Sequence, residues 1–383
     1  MKFPIGVQSF KKLINNGFVY VDKTDLVYSL VDEGAVYFLG RPRRFGKSLL
    51  VSTLESYFLG EKELFAGLKI ESLEKAWTKY PVFHIDFGNG DSFSEKNALR
   101  DSVEEYVSTW EKMYNVEPNV KLGLGRRFSK VLKAAHEQTK QPCVVLVDEY
   151  DKPLLDVIGL PDMVERNNVK VSLEEYNREF LRAFYSSLKA ADEDLRFVFL
   201  TGITKFPQVS IFSGLNQLID ISMESQYEAI CGITDEEIET YFHKQIEDMA
   251  KGCGCSYQEM RESLRKQYDG YHFSRKMADV YNPFSLLNAL RKNELGDYWF
   301  STGTPSLLDR MLAAGSHDID KLIENIYTSD QFREYRADNQ QLLPLIYQSG
   351  YLTIKEFFPT TSSFRLDYPN NEVKQAANKL FAQ

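Results

Sequence analysis

The sequence predicts an α/β protein with a mostly parallel sheet, followed by a helical domain and a small winged-helix-like module. Three observations predict it. Short apolar runs of strand length alternate with longer helix-periodic stretches up to about residue 222. A helix-start signature follows at Thr234, and a helix-like stretch with two strand-like runs lies near the C-terminus. The resulting division is 1–222, 223–310 and 311–383, in keeping with about two to three domains for 383 residues.

The elements follow in order. Ala35 to Leu39 is an apolar run ending at Gly40, and Leu49, Leu50, Leu54, Tyr57 and Phe58 then recur at helical spacing, so the intervening segment is a strand-to-helix turn. Further runs at Pro81 to Phe87, Cys143 to Val147, Arg196 to Leu200 and Leu218 to Ile221 are separated by periodic stretches such as Ala98 to Tyr114 and Leu173 to Leu188. After Ser222, Thr234 with Glu237 three residues on predicts a capped helix carrying Ile238, Tyr241 and Phe242. Leu342 to Gln348 reads as a helix, Gly350 to Ile354 as a strand and Phe364 to Tyr368 as its hairpin partner, with a last helix from Asn371. The sequence shows no repeat and no long Gly/Ser linker, which predicts domains packed against one another.

Apolar residues make up 43%, charged residues 26% and aromatics 13%, a profile that excludes disordered and membrane-embedded classes. A formal charge of -9 repels phosphate backbones and anionic lipid, so any nucleic-acid contact must be local. The N-terminus lacks the apolar core of a signal peptide and no run approaches ~18 apolar residues, which places the expectation on a cytoplasmic protein without a membrane partner. Cys143, Cys231, Cys253 and Cys255 form no zinc pattern and read as reduced thiols.

The strand-to-helix turn carries Gly46-Lys47-Ser48. A phosphate loop needs backbone N–H groups at a helix N-terminus, a lysine for the β/γ-phosphates and a hydroxyl for magnesium, and these three residues supply them in order. The predicted nucleotide-binding set is Arg43, Arg44, Phe45, Gly46, Lys47, Ser48 and Leu49. In the pattern G-x-x-x-x-G-K-S the first glycine would fall at Arg41, whereas the available one is Gly40, so the loop is longer or differently anchored. Arg41, Arg43 and Arg44 would add three positive charges for a triphosphate, or would each pair with a local carboxylate.

Val144 to Val147 is an apolar strand ending in Asp148 and Glu149, whose side chains are expected to diverge because directions alternate along a strand. Asp148, with Ser48, would hold magnesium directly or through water, and Glu149 would orient the attacking water. Asp151 and Lys152 are read as a local ion pair. Thr201, ending the next strand, would sense the γ-phosphate or the water. The expected catalytic set is therefore Glu149, Lys47, Thr201 and Arg44, with ATP and Mg²⁺ as the bound species.

Several segments together resemble the bacterial AAA-ATPase-like family, whose members commonly carry a C-terminal PD-(D/E)XK nuclease-like domain: Tyr20 to Thr24, Arg41 to Ser48, Asp148 to Pro153 and Thr201 to Lys205. Tyr281 to Ser285, Phe300 to Pro305 and Gln348 to Leu352 extend the resemblance over most of the chain. It implies a P-loop NTPase core in three layers, in which the strand ending at Thr201 lies between the phosphate-loop strand and the strand ending at Asp148. It also implies, by analogy alone, that Tyr20 to Thr24 approach the base. The nuclease-like domain would begin roughly where this sequence stops, and no strand pair with its Asp and Glu-x-Lys is found.

The leading functional expectation is an ATPase whose hydrolysis drives or gates movement between the sheet and helical domains. Arg43 or Arg44, or a residue of a neighbouring subunit in a homo-oligomer, would stabilise the γ-phosphate. The alternative is a nucleotide-binding regulatory scaffold with little or no turnover. A third reading has the C-terminal module binding nucleic acid, against which stand the global charge and the few basic residues near Arg365.

Overall fold

The computed structural model describes residues 1–34, 36–90, 92–166, 168–206, 218–299, 319–335 and 342–381. In chain order the first strands are β1 (Val36–Gly40), β2 (Val82–Asp86), β3 (Cys143–Asp148), the arms of a hairpin β4 (Met163–Arg166) and β5 (Val169–Ser172), then β6 (Leu195–Gly202) and β7 (Ile219–Asp220). Five of them form one sheet in the order β2-β3-β6-β1-β7, and every neighbouring pair is parallel. The four longest coincide with the apolar runs read from sequence, and β7 lies inside the Leu218 to Ile221 run. All six residues of β3 are buried, as a central parallel strand covered on both faces requires.

The helices of this part are α1 (Phe10–Asn15), α2 (Thr24–Glu33), α3 (Lys47–Phe58), α4 (Ile70–Leu73), α5 (Ala98–Met113), α6 (Leu124–Thr139), α7 (Lys152–Leu155) and α8 (Leu173–Ala190). Because strand side chains alternate, Phe83, Val145, Val147, Val198 and Leu200 point to one face, where they meet Val107 of α5, Phe128 of α6 and Phe184 of α8. Val144, Leu146, Phe197 and Phe199 point to the other, against Val51, Leu54 and Phe58 of α3. Helix α6 and the β4–β5 hairpin were not anticipated.

The helical part holds α9 (Asp235–Cys253), α10 (Tyr257–Tyr268) and α11 (Pro283–Lys292) around its own apolar cluster. Helix α9 starts as the pattern predicts: Thr234 accepts from the Glu237 amide, and the Glu237 carboxylate accepts from the Thr234 amide.

The C-terminal part comprises α12 (Ile319–Ile323), β8 (Ile326–Thr328), α13 (Ser329–Arg333), α14 (Leu342–Gln348), β9 (Thr353–Phe358), β10 (Ser363–Asp367) and α15 (Asn371–Phe381). The helix-then-hairpin order is present, with two differences. The first hairpin strand begins at Thr353 rather than Gly350, because Gly350 (φ +90°) closes α14 in a left-handed turn and Tyr351 and Leu352 are spent as buried anchors. An unforeseen strand, β8, pairs with β10, giving the order β8-β10-β9. The Phe300 to Pro305 motif and the 310/311 boundary lie outside the described residues. Phe332, Ile346, Ile354 and Phe364 share one core with Leu39 and Val51, so this part packs directly on the sheet, as the missing linker led us to expect.

Candidate functional site

Since β1, β6 and β3 run parallel, their C-terminal tips reach the same edge of the sheet, and β6 lies between the other two. The segment carrying Gly46-Lys47-Ser48 leaves β1, Asp148 ends β3, and Thr201 lies near the end of β6. Register pairs Leu39 with Thr201 and Val147 with Leu200, so the three tips are level.

Gly46 adopts φ +95° and caps α3, a conformation that disfavours a side chain. The amides of Arg43, Arg44, Phe45 and Gly46 donate to no acceptor among the described residues, which leaves the loop lined with free donors at a helix N-terminus. Lys47 is buried, and its Nζ donates to the carbonyls of Arg41 (2.9 Å) and Pro42 (3.1 Å), which curls the loop over the ammonium. Burial lowers the Lys47 pKa, against the opposing pull of Glu149, Asp148 and Asp151.

Thr201 is fully buried, and its hydroxyl donates to Asp148 Oδ1 at 2.5 Å. Asp148 Oδ1 also accepts from the Glu149 amide at 3.1 Å, while its other oxygen takes no hydrogen bond among the described residues. Glu149 falls just beyond β3 at φ +51°, so a left-handed turn, and not strand alternation, separates its carboxylate from that of Asp148. Burial raises the Glu149 pKa; Asp148 and Asp86 raise it further, and Lys47 and Arg43 oppose.

Other sequence-predicted residues are placed as follows. Ser48 and Leu49 are half-buried in the first turn of α3, and Leu49 faces an apolar cleft. Phe45 is buried edge-on against Tyr271 and Phe273, at 4.8 and 5.3 Å between ring centres, so only its backbone is offered to the loop. Arg43 and Arg44 are exposed; Arg44 lies over the Phe284 ring at 4.9 Å in a left-handed backbone conformation (φ +69°).

Two expectations are corrected. Arg41 adds no charge to the loop: its guanidinium is buried, donates to the carbonyls of Gly40, Ser222, Tyr227 and Glu228, and sits on Phe273 at 4.1 Å. With no carboxylate partner among the described residues, the cation is held there by carbonyl dipoles and a ring face, which is a structural role. Asp151 and Lys152 do not pair. Lys152 reaches Asp156 (2.7 Å), one helical turn on, while buried Asp151 accepts from the amides of Ile203 (3.0 Å) and Thr204 (2.6 Å); burial pushes its pKa up to about 6.

Sequence reasoning missed Asp86 and Gly88. Asp86 ends β2 opposite Asp148 in the register, and its Oδ1 accepts from the Gly88 amide at 2.7 Å. A Cβ on Gly88 would lie 2.9 Å from Glu149 Oε2 and 3.0 Å from Asp86 Oδ1, so both carboxylates converge on that glycine. The available signal was an acid closing a strand in His84-Ile85-Asp86, the same pattern that picked out Asp148.

The apolar cleft beside the loop has an empty volume of about 630 Å³. Its walls are Val19, Tyr20 and Val21 on one side, Ile230 to Ile233 with Phe242 and Leu287 on the other, and Phe45, Gly46 and Leu50 at the loop.

Fold and site together define a P-loop type of α/β protein, with donors, lysine and acids gathered at one sheet edge. The chain belongs to the AAA-ATPase-like family, described as predicted AAA-ATPase, whose model matches residues 4–212. It is also 35% identical over 381 residues to the "uncharacterized protein in vnfD 5′ region" of Azotobacter chroococcum mcd 1, covering 99% of this chain and 69% of that one. Among solved structures it is similar to the Aeropyrum pernix ORC1 protein in complex with DNA (10% identity, 94% and 93% of the two chains, TM-score 0.31). A second is Cdc6p from Pyrobaculum aerophilum (11% identity, 93% and 91%, TM-score 0.34). At these scores neither likeness bears on function. Among the described residues no helix is long and apolar enough to cross a membrane.

Proposed function

We propose that this protein binds ATP with magnesium at the loop from Arg43 to Leu49 and hydrolyses it, with the residues of 223–310 moving relative to the sheet as the nucleotide changes. The observation that carries the proposal is the sheet order: β6 between β1 and β3 sets buried Lys47 beside Asp148 and Glu149 at one edge, under a loop whose amides are free.

The division of labour follows from the chemistry. Free amides and the N-terminus of α3 take phosphate oxygens. Lys47, released from the two loop carbonyls, would place its charge on the β/γ-phosphates. The Ser48 hydroxyl and the unbonded oxygen of Asp148 are hard oxygen donors suited to magnesium, and the bound ion would neutralise charge on the phosphate oxygens. Among the described residues no group of three or more His, Cys, Asp or Glu side chains could hold a metal, and a site completed by phosphate and water oxygens needs none. Thr201 fixes the Asp148 carboxylate. Glu149, held by its turn over Gly88, would orient the attacking water and take its proton, and Arg44 or Arg43, exposed at the loop, would meet developing charge on the γ-phosphate. The cleft from Val19 to Leu287 would take the base.

Steady-state phosphate release tests this reading. Glu149→Gln should abolish turnover and retain ATP binding. Native protein that binds ATP without releasing phosphate would instead be a nucleotide-binding scaffold.

A further inference from the structure

The Val21 to Thr24 segment carries more internal bonding than a cleft wall needs. Asp22 Oδ1 accepts from the Thr24 amide (2.9 Å) and hydroxyl (2.6 Å), and its Oδ2 from the Lys69 amide (2.7 Å). Thr24 Oγ1 in turn accepts from the Ile70 amide at 3.1 Å, which pins the segment to α4. From this fixed base two bonds cross to the helical part. The Asp22 amide donates to the Tyr241 hydroxyl at 3.2 Å, and Lys23 Nζ pairs with Glu237 at 2.6 Å, with only 10% and 18% of the two side chains exposed. Glu237 is also the capping residue of α9, accepting from the Thr234 amide at 2.9 Å. Lys23 itself lines the apolar cleft and is the one charged residue among the described residues lining it.

We propose that Lys23 is a positioning residue of the nucleotide site: its bond to Glu237 ties the first turn of α9 to the N-terminal segment and so sets the width of the cleft that takes the base. The inference rests on the ATP reading above and adds to it which residue holds the two walls in register. The walls come from segments far apart in the chain, one around Val21 and the other running from Ile230 to Leu287, and between them Phe3 stacks on Phe242 at 6.3 Å, a contact that does not fix an angle. A short ion pair does fix one, because a buried ammonium and carboxylate lose heavily on separating. Preorganised walls spare the base the cost of ordering them.

The test compares two ligands, each with magnesium: ATP, which uses loop and cleft, and tripolyphosphate, which uses the loop alone. Lys23→Met keeps the aliphatic stem without the charge, and Glu237→Gln keeps the capping geometry without the charge. Each should weaken ATP at least about tenfold and leave tripolyphosphate within about twofold. The double variant should be no weaker than the worse single, and Lys23→Arg should recover most of the loss. Equal loss of both ligands would mean that Lys23 acts on the phosphates or on the fold, and unchanged ATP affinity would mean that the pair does not set the cleft; either result overturns the proposal. Native protein that binds neither ligand would instead fell the ATP reading on which the proposal rests.

Discussion

Replacing Gly88 by alanine perturbs the placement of Glu149 most, with a lesser push on Asp86 Oδ1 at 3.0 Å, and leaves the loop around Lys47 untouched. Gly88 is exposed and its backbone lies outside the left-handed region, so alanine should change stability by no more than about 0.5 kcal/mol. Its new methyl would stand 2.9 Å from both Cδ and Oε2 of Glu149. Ordinary carbon contacts begin near ~3.5 Å, so the carboxylate must withdraw by roughly half an ångström. Misplacement by about 1 Å can cost ~10²-fold in rate, so kcat should fall roughly 10- to 100-fold, about 1.4 to 2.7 kcal/mol in barrier. ATP affinity should hold, because the loop and Lys47 are untouched. Steady-state phosphate release gives kcat, fluorescent-nucleotide titration gives Kd, and thermal melting checks the fold. A Gly88→Ala protein that turns over ATP at the native rate would refute the assignment of Glu149 as the residue that orients water.

Three further outcomes are expected. Saturating ATP–magnesium at 100 times Kd adds about 2.7 kcal/mol, and at ~2.1 cal/mol/K per residue over 383 residues this raises Tm by about 3 °C if the chain melts as one unit; Lys47→Ala should remove the shift. Thr201→Val deletes the 2.5 Å bond to buried Asp148, which should cost roughly 1–3 kcal/mol in thermal melting and lower turnover more than ATP affinity. Glu372 is buried and accepts from the amides of Tyr298 and Trp299, and burial pushes its pKa up to about 7. The folded chain therefore binds this proton more readily than the unfolded one between about pH 4.5 and 7, and stability from this group is lost as pH rises through that window. Glu372→Gln, neutral throughout, should flatten the dependence of Tm on pH there by an amount on the order of 3 kcal/mol, and an unaltered profile would count against that protonation.

Local chemistry was legible in the sequence. Apolar runs of strand length located the strands, Thr234 with Glu237 located the start of α9, and Gly46-Lys47-Ser48 located a strand-to-helix turn with free amides. These signals are readable because each is a short-range matter of backbone bonding and side-chain period. The C-terminal hairpin was found with its first strand displaced, since Gly350 diverts Tyr351 and Leu352 into the core before pairing begins. Helix α6 went unread, although Leu124, Phe128, Val131, Leu132 and Ala135 make a buried stripe with helical spacing.

Contacts between distant segments were decided by tertiary structure alone. Arg41 reads as a phosphate ligand beside Arg43 and Arg44, yet the chain folds carbonyls from 222–228 onto its guanidinium. Asp86 reads as a strand end, and only the β2–β3 register sets it opposite Asp148. Lys23 lies 214 positions from Glu237, a separation over which residue type says nothing of partnership. The sequence by itself determined where a strand-to-helix turn, an acid pair and a capped helix would form, because neighbouring residues create those features. Which charges enter the site and which are consumed by the scaffold was settled by sheet order and packing, since burial and Coulomb forces act between segments that meet only when the chain has folded.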